Sequence, residues 1–287
     1  MIMPPDAAVP CAEPAPTTDP GSSAVFELAV QTDVGTNRDS NEDSCGHFVE
    51  GPDTVLFAVA DGIGGYEGGE VASAMAIEVT LNGYRESPTT WDPGKRLHRA
   101  VQRANIEIHN RALTVPELRR MGTTLTAAVV SNGVLHAAHI GDCRLYLIRH
   151  GRISQITKDH TAVQERVRMG LMTAARARNH PDRSALTRSI GRELIVSVDR
   201  ITLGLEQDDR VLICSDGLHG VLEDAELEHL GRGLSAEEAC RHLICMANQR
   251  GTADNLTVGI FTQKGPTSTA AAPRGVWDRI AGFFRRD

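Results

Sequence analysis

The sequence predicts an α+β domain, and three observations carry that prediction. Candidate strands pair off through short turns. Candidate helices fall in separate groups instead of alternating with strands. Hydrophobic residues make up 41% of the 287, enough for a sizeable core. No internal repeat is present.

The elements follow in order. Residues 1–23 are rich in Pro, Ala and Thr, a composition expected to stay disordered. The folded domain is expected over residues 24–264. Phe26, Leu28 and Val30 alternate along a first strand. Residues 54–60 (TVLFAVA) form a continuous apolar run into Asp61-Gly62, read as a buried strand ending in a turn. Val71, Ala74, Met75 and Val79 recur at helical spacing, and a second helix is expected over 95–113.

Two strands, 123–130 and 134–140, flank Ser131-Asn132-Gly133, where Asn-Gly tolerates the positive φ of a hairpin turn. His150-Gly151 makes a second such turn between 144–148 and 152–156. Residues 161–190 read as helical or irregular. The strand 210–214 runs into Ser215-Asp216-Gly217. Ser235 and Glu238 form a capping box for a helix reaching about Gln249. The last strand, 256–261, follows Ala253-Asp254-Asn255. Residues 265–275 read as a linker. Residues 276–287 form a short amphipathic tail, with Trp277, Ile280, Phe283 and Phe284 on one face, that is a candidate for docking to a partner or a membrane surface.

Bulk properties exclude several classes. The net charge is -7, with 37 acidic against 30 basic residues, which argues against a nucleic-acid partner. Six cysteines form no CxxC pair, against a structural zinc site, and scattered thiols suit a reducing compartment. The N-terminus has no basic and apolar leader, and no run approaches the ~20 apolar residues of a membrane span. A cytoplasmic monomer is the expectation.

The chemical signal is a set of carboxylates in turns: Glu42-Asp43, Asp61-Gly62, Asp142, Asp216-Gly217 and Asp254-Asn255. Any one alone reads as an Asx-turn. Asp61, Asp216 and Asp254, however, each adjoin an apolar strand, a rigid mount. Several carboxylates converging at one edge would repel one another unless cations intervened. Oxygen-only ligands favour hard ions such as Mg²⁺ or Mn²⁺. No His pair at metal spacing competes.

Eight stretches in chain order carry a family resemblance. They are Thr32-Asp33-Val34-Gly35 with Arg38 and Asn41-Glu42-Asp43; Phe57 through Gly65 (FAVADGIGG) with Gly69-Glu70 and Ala72-Ser73; Gly122-Thr123-Thr124-Leu125; Gly141-Asp142-Cys143-Arg144-Leu145-Tyr146; Thr157-Lys158-Asp159-His160; Leu186 through Gly191 (LTRSIG); Leu212 through Leu218 (LICSDGL); and Asp254-Asn255-Leu256-Thr257-Val258. The chain thereby resembles the metal-dependent, type 2C protein Ser/Thr phosphatases, in particular the compact bacterial members, over about residues 25–263.

The resemblance implies a four-layer α-β-β-α sandwich, two antiparallel sheets flanked by helices with the metals at one end. It implies that Asp61 bridges two Mn²⁺ or Mg²⁺ ions and that Gly62 offers its carbonyl. Asp216 and Asp254 would complete one ion. Glu42 would serve the other, with Asp43 in support. Asp142, together with Asp216, matches the place of a third ion in bacterial members. Arg38 matches the arginine that grips the substrate phosphate. The implied partners are phosphorylated proteins and a cognate Ser/Thr kinase.

Two departures stand out. Ile63 occupies a position where many eukaryotic members carry a His able to act as general acid, so the leaving-group proton must come from elsewhere. Cys143 replaces a Ser beside Asp142. Residues 161–184 correspond to the variable flap over the site. They carry Arg166, Arg168, Arg176, Arg178 and Arg183, a basic set able to attract phosphopeptides. The competing readings are a catalytically weak phosphoprotein-binding regulator on the same fold and a hydrolase of another phosphoester.

Overall fold

The computed structural model describes residues 21–22, 25–64 and 68–265. The expected linker beyond Gly265 and the amphipathic tail lie outside these residues, as does most of the N-terminal tail. One correction applies there: Gly21–Ser22, expected within the disordered tail, pair as a short strand with the first long strand.

The strands form two antiparallel sheets. In the first, β1 (Gly21–Ser22), β2 (Phe26–Asp33), β12 (Leu256–Gln263), β11 (Arg210–Cys214), β8 (Arg144–Arg149) and β9 (Arg152–Gln155) lie side by side in that order. The second runs β10 (Asp199–Gly204), β7 (Val134–Ile140), β6 (Leu125–Ser131), β4 (Thr54–Ile63) and β3 (Asp43–Val49), with β5 (Gly122–Thr123) paired to the end of β4.

The two hairpin turns form where Asn132-Gly133 and His150-Gly151 supply consecutive positive φ angles, 50° and 74° in the first and 48° and 77° in the second. Between the sheets lies an apolar layer centred on Phe26, Phe57 and Phe261, with stacked ring pairs at 5.7 and 6.0 Å.

Helices α1 (Gly68–Glu86) and α2 (Pro93–Thr114) cover the outer face of the second sheet, burying Ala76, Tyr84, Leu97 and Ile108 against Leu56, Ala58 and Ala127. Asp92 starts α2 by accepting the Lys95 N–H, with Pro93 at the first helical position. On the first sheet sit α5 (Asp216–His219), α6 (Asp224–Leu230) and α7 (Ala236–Gln249). The capping box of Ser235 and Glu238 is present at the start of α7. The result is the expected four-layer sandwich. Among the described residues, no helix is long and apolar enough to cross a membrane.

Two local readings need correction, and a third gains detail. The apolar run 54–60 does not end in a turn at Asp61-Gly62. Strand β4 continues to Ile63 because it exchanges neighbours, leaving β6 after Val59 and pairing Gly62 and Ile63 with Thr123 and Gly122 of β5. Glu42-Asp43, read as a turn, is the entry to β3, with Asp43 directly opposite Asp61. The segment 161–190 contains two short helices, α3 (Ala162–Arg168) and α4 (Ala174–Arg178), capped by Thr161 and Thr173.

Candidate metal centre

The ends of β4, β3 and β12, the β7–β8 turn and the start of α5 meet at one edge of the sandwich around a cleft of about 750 Å³. Its lining includes Arg38, Glu42, Asp61, Asp142, Asp216 and Asp254, which the sequence placed together. Gly62 lines it as well. Asp43 is buried immediately behind, 6% exposed, and does not line the cleft.

Each carboxylate is set by its local backbone. Asp61 is held at both ends of its peptide: its N–H donates to Thr124 Oγ1 at 2.9 Å, and its carbonyl accepts from the Thr124 N–H at 2.9 Å and from Thr123 Oγ1 at 2.8 Å. Gly62 must be glycine, because a Cβ there would sit 2.2 Å from the Gly69 carbonyl oxygen. Its N–H donates to the Glu42 carbonyl at 3.0 Å, which binds β4 to the start of β3. Asp216 opens α5, within reach of the Ser184 hydroxyl at 3.4 Å. Asp142 follows Gly141, and its carbonyl accepts from His219 Nε2 at 3.0 Å.

Arg38 and Asp254 form an ion pair at 2.8 Å, and Arg38 Nε also donates to the Ala253 carbonyl at 3.3 Å. The arginine side chain is 45% exposed, at the mouth of the cleft.

Two further residues, Asn255 and Thr257, hold the site together. Asn255, 3% exposed, accepts the Glu42 N–H at Oδ1 (2.8 Å) and donates from Nδ2 to the carbonyls of Val34 and Ser40. It thereby pins the Arg38-bearing loop and Glu42 to β12. Thr257 donates to the Asp43 carboxylate at 2.7 Å, at the end of a relay from Asn41 through Thr32. A threonine on the same face of β12 as Phe261, which packs between the sheets, is the signal that could have found Thr257.

The electrostatics are those of crowded acids. Burial raises the Asp61 carboxyl well above the carboxylate range, and the charges of Asp43, Asp216, Asp142 and Asp254 raise it further. Burial and Asp254 raise Asp216, which lies within hydrogen-bonding reach of Asp61. Asp142 is raised by burial and by Asp216. Asp43 is pushed up to about 7 by burial, against the hydrogen bonds from Ser215 and Thr257. Glu42 is raised by burial, with Arg38 opposing.

This donor set suits hard divalent cations. The carboxylates facing the cleft offer oxygen, their mutual repulsion calls for positive charge, and Arg38, paired with Asp254, answers only part of it. Among the described residues, no three His, Cys, Asp or Glu side chains stand close enough together to hold a metal ion without moving.

Comparisons with known proteins agree with this geometry. The family model described as protein phosphatase 2C matches residues 33–256. A serine/threonine phosphatase, stp, of Listeria monocytogenes is 34% identical over 82% of this chain and 96% of its own. The serine/threonine protein phosphatase PstP of Mycobacterium tuberculosis is 37% identical over 82% of this chain and 44% of its own. The crystal structure of the M. tuberculosis phosphatase PstP/Ppp superposes with a TM-score of 0.77 at 35% identity, covering 84% of this chain and 100% of that one. The catalytic domain of PstP in complex with two manganese ions gives a TM-score of 0.75 at 34% identity, covering 84% of this chain and 99% of that one. With the model spanning the cleft from Asp33 to Leu256 and relatives aligned over most of their length, the chain belongs to the protein phosphatase 2C family.

Proposed function

We propose that this chain hydrolyses phosphoserine and phosphothreonine in proteins, opposing a Ser/Thr kinase, with residue roles as follows. Asp61, the Gly62 carbonyl, Glu42, Asp216 and Asp254 hold two Mn²⁺ or Mg²⁺ ions. Asp142 with Asp216 holds a third, and Asp43 supports the set from behind. When bound, the ions supply Lewis-acid charge and make a water acidic enough to serve as nucleophile near neutral pH.

The residues of the chain do the rest. Arg38 presents a guanidinium fork to the phosphate oxygens, and its tie to the Ala253 carbonyl orients that fork in advance. Asn255 fixes Glu42 and the Arg38 loop to the same strand, so phosphate grip and ligand set stay in register. Ile63 offers no proton. The reaction consumes one water: its oxygen bonds to phosphorus, the bond from phosphorus to the Ser or Thr oxygen breaks, and a proton reaches that oxygen from solvent in the cleft.

The convergence of Glu42, Asp61, Asp142, Asp216 and Asp254 with Arg38 on one cleft is the observation that carries this reading. The test is Mn²⁺-dependent phosphate release from phosphothreonine peptides. Asp216→Ala should abolish release while far-UV circular dichroism is unchanged. A wild-type protein that binds Mn²⁺ yet releases no phosphate would overturn the reading.

A further inference from the structure

A second concavity of about 430 Å³ lies beside the catalytic cleft, between α2 and residues 194–196. Arg99, Gln102 and Ile106 of α2 form one wall, and Leu194, Ile195 and Val196 the other. Three of these apolar side chains face solvent: Ile195 is 83% exposed, Leu194 54% and Ile106 44%. Apolar side chains gathered this way mark an interaction site more often than scattered ones do.

The loop that presents them is clamped. Asn105, 2% exposed, donates from Nδ2 to the carbonyls of Glu193 and Leu194, both at 3.0 Å, and accepts the Gly191 N–H at 2.8 Å. His109 Nδ1 bonds the Gly191 carbonyl at 3.1 Å. Ile190, at the root of the loop, exchanges both backbone hydrogen bonds with Thr123, whose hydroxyl donates to the Asp61 carbonyl. The concavity therefore has a fixed position relative to the catalytic strand. It also adjoins the cleft, since Val196 lines both and Arg192 and Glu193 line the cleft side. Arg103, at its edge, is already paired with Glu86 and Glu107, so the groove offers apolar area beside the single charge of Arg99.

We propose that this groove is a substrate subsite: it takes an apolar side chain of the phosphoprotein segment flanking the residue whose phosphate occupies the cleft. The occupant follows from adjacency, because residues 192–196 line the cleft with Arg192, Glu193 and Val196 and the groove with Leu194, Ile195 and Val196, so a chain running from the phosphate along this loop meets the groove next. The inference rests on the phosphatase reading above.

The experiment uses the full chain with Mn²⁺ and phosphothreonine peptides that carry one leucine at successive positions in a polar background, with para-nitrophenyl phosphate as a small control substrate. One register of leucine should lower KM with kcat little changed. Ile195→Asp and Leu194→Asp should each raise KM for that peptide about tenfold. Turnover of the polar peptide and of para-nitrophenyl phosphate should stay as in wild type. A flat leucine scan, or a preference that survives Ile195→Asp, overturns the subsite while leaving the phosphatase reading intact. An Ile195→Asp change that converts a dimer to a monomer in sedimentation, or a matching effect of deleting residues 276–287, assigns the groove to a second copy or to the chain's own terminus and also overturns it. Absence of phosphate release from every substrate overturns both readings together.

Discussion

His160 closes on Gly141 from both sides: its Nδ1 accepts the Gly141 N–H at 3.1 Å, and its own N–H donates to the Gly141 carbonyl at 2.8 Å. The next residue is Asp142. Gly141 holds φ at +105°, and a Cβ there would meet the Thr124 side chain at 2.5 Å. The ring thus fixes the peptide that aims a proposed ligand. Replacing His160 with Ala leaves a buried N–H unpaired, a loss of about 1–3 kcal/mol. Groups that orient ligands typically change metal affinity by about 10–100-fold. His160→Ala should therefore weaken Mn²⁺ binding by calorimetry, with activity partly restored at high Mn²⁺. Unchanged affinity would reduce His160 to a packing residue.

The neighbouring His139 makes stability depend on pH. It is 1% exposed, its ring sits 4.8 Å from that of His160, and its Nε2–H donates to the Lys158 carbonyl while Nδ1 faces Thr126 Oγ1 at 2.8 Å. Burial, then the charge of His160, pushes its pKa down to about 4, against weaker opposition from Asp159 and Asp199. Burial and Arg188 lower His160 as well. A histidine depressed in the folded state takes up its proton more readily when unfolded. Stability is full above the unfolded value of about 6.5 and falls as pH drops toward the folded one, by up to about 3 kcal/mol for His139. In urea unfolding across this window the wild type should lose stability relative to His139→Gln, which keeps a donor toward Lys158 and has no ring to titrate.

Much of this was legible in the sequence, and the remainder was hidden for identifiable reasons. Asn132-Gly133 and the capping box of Ser235 and Glu238 were readable because their signals are local. Asp61, Asp216 and Asp254 stood out because each adjoins an apolar strand. Strand β3 was missed because its alternation is broken by Gly46 and His47, and only pairing with β4 makes it a strand. Strand β10 was missed because its charged and polar residues form an edge, resolved by pairing with β7. Asn255 was seen only as part of a motif. Its work is to join residues more than two hundred positions away, which no local pattern encodes.

The crowded carboxylates predict a conflict between stability and function. Asp61 lies within hydrogen-bonding reach of Asp216, and its charge is raised in cost by four neighbouring acids. An ion that binds only the folded state contributes about 2.7 kcal/mol at a hundred times its dissociation constant. Adding a chelator should therefore lower the wild-type melting temperature. Asp61→Asn removes one of the repelling charges, so the chelated variant should melt above chelated wild type while showing no phosphatase activity. A chelated variant that melts lower would mean the Asp61 charge is satisfied by the protein itself.

Glu50 and Arg96 offer the complementary case, an ion pair away from the site. Arg96 is 3% exposed and donates to both Glu50 oxygens, at 2.7 and 2.8 Å. It also donates to the Tyr84 carbonyl at 3.0 Å and lies 4.0 Å from the Tyr84 ring. Its Nε, buried, has no partner. Removing Glu50 alone strands the charge, so Glu50→Ala should cost about 3 kcal/mol, reduced if water reaches the guanidinium from the exposed side. Replacing both residues with apolar ones of similar volume, Glu50→Leu with Arg96→Met, should cost much less than the sum of the single changes. The pairing holds the Glu50 carboxyl below its ordinary 4.5, chiefly through hydrogen bonds from Arg96. That contribution is complete above the unfolded value and lost as pH falls through the folded one. The gap between wild type and Glu50→Ala should therefore narrow in acid below about pH 4.5. A gap that stays constant there would assign the cost to lost packing instead of charge.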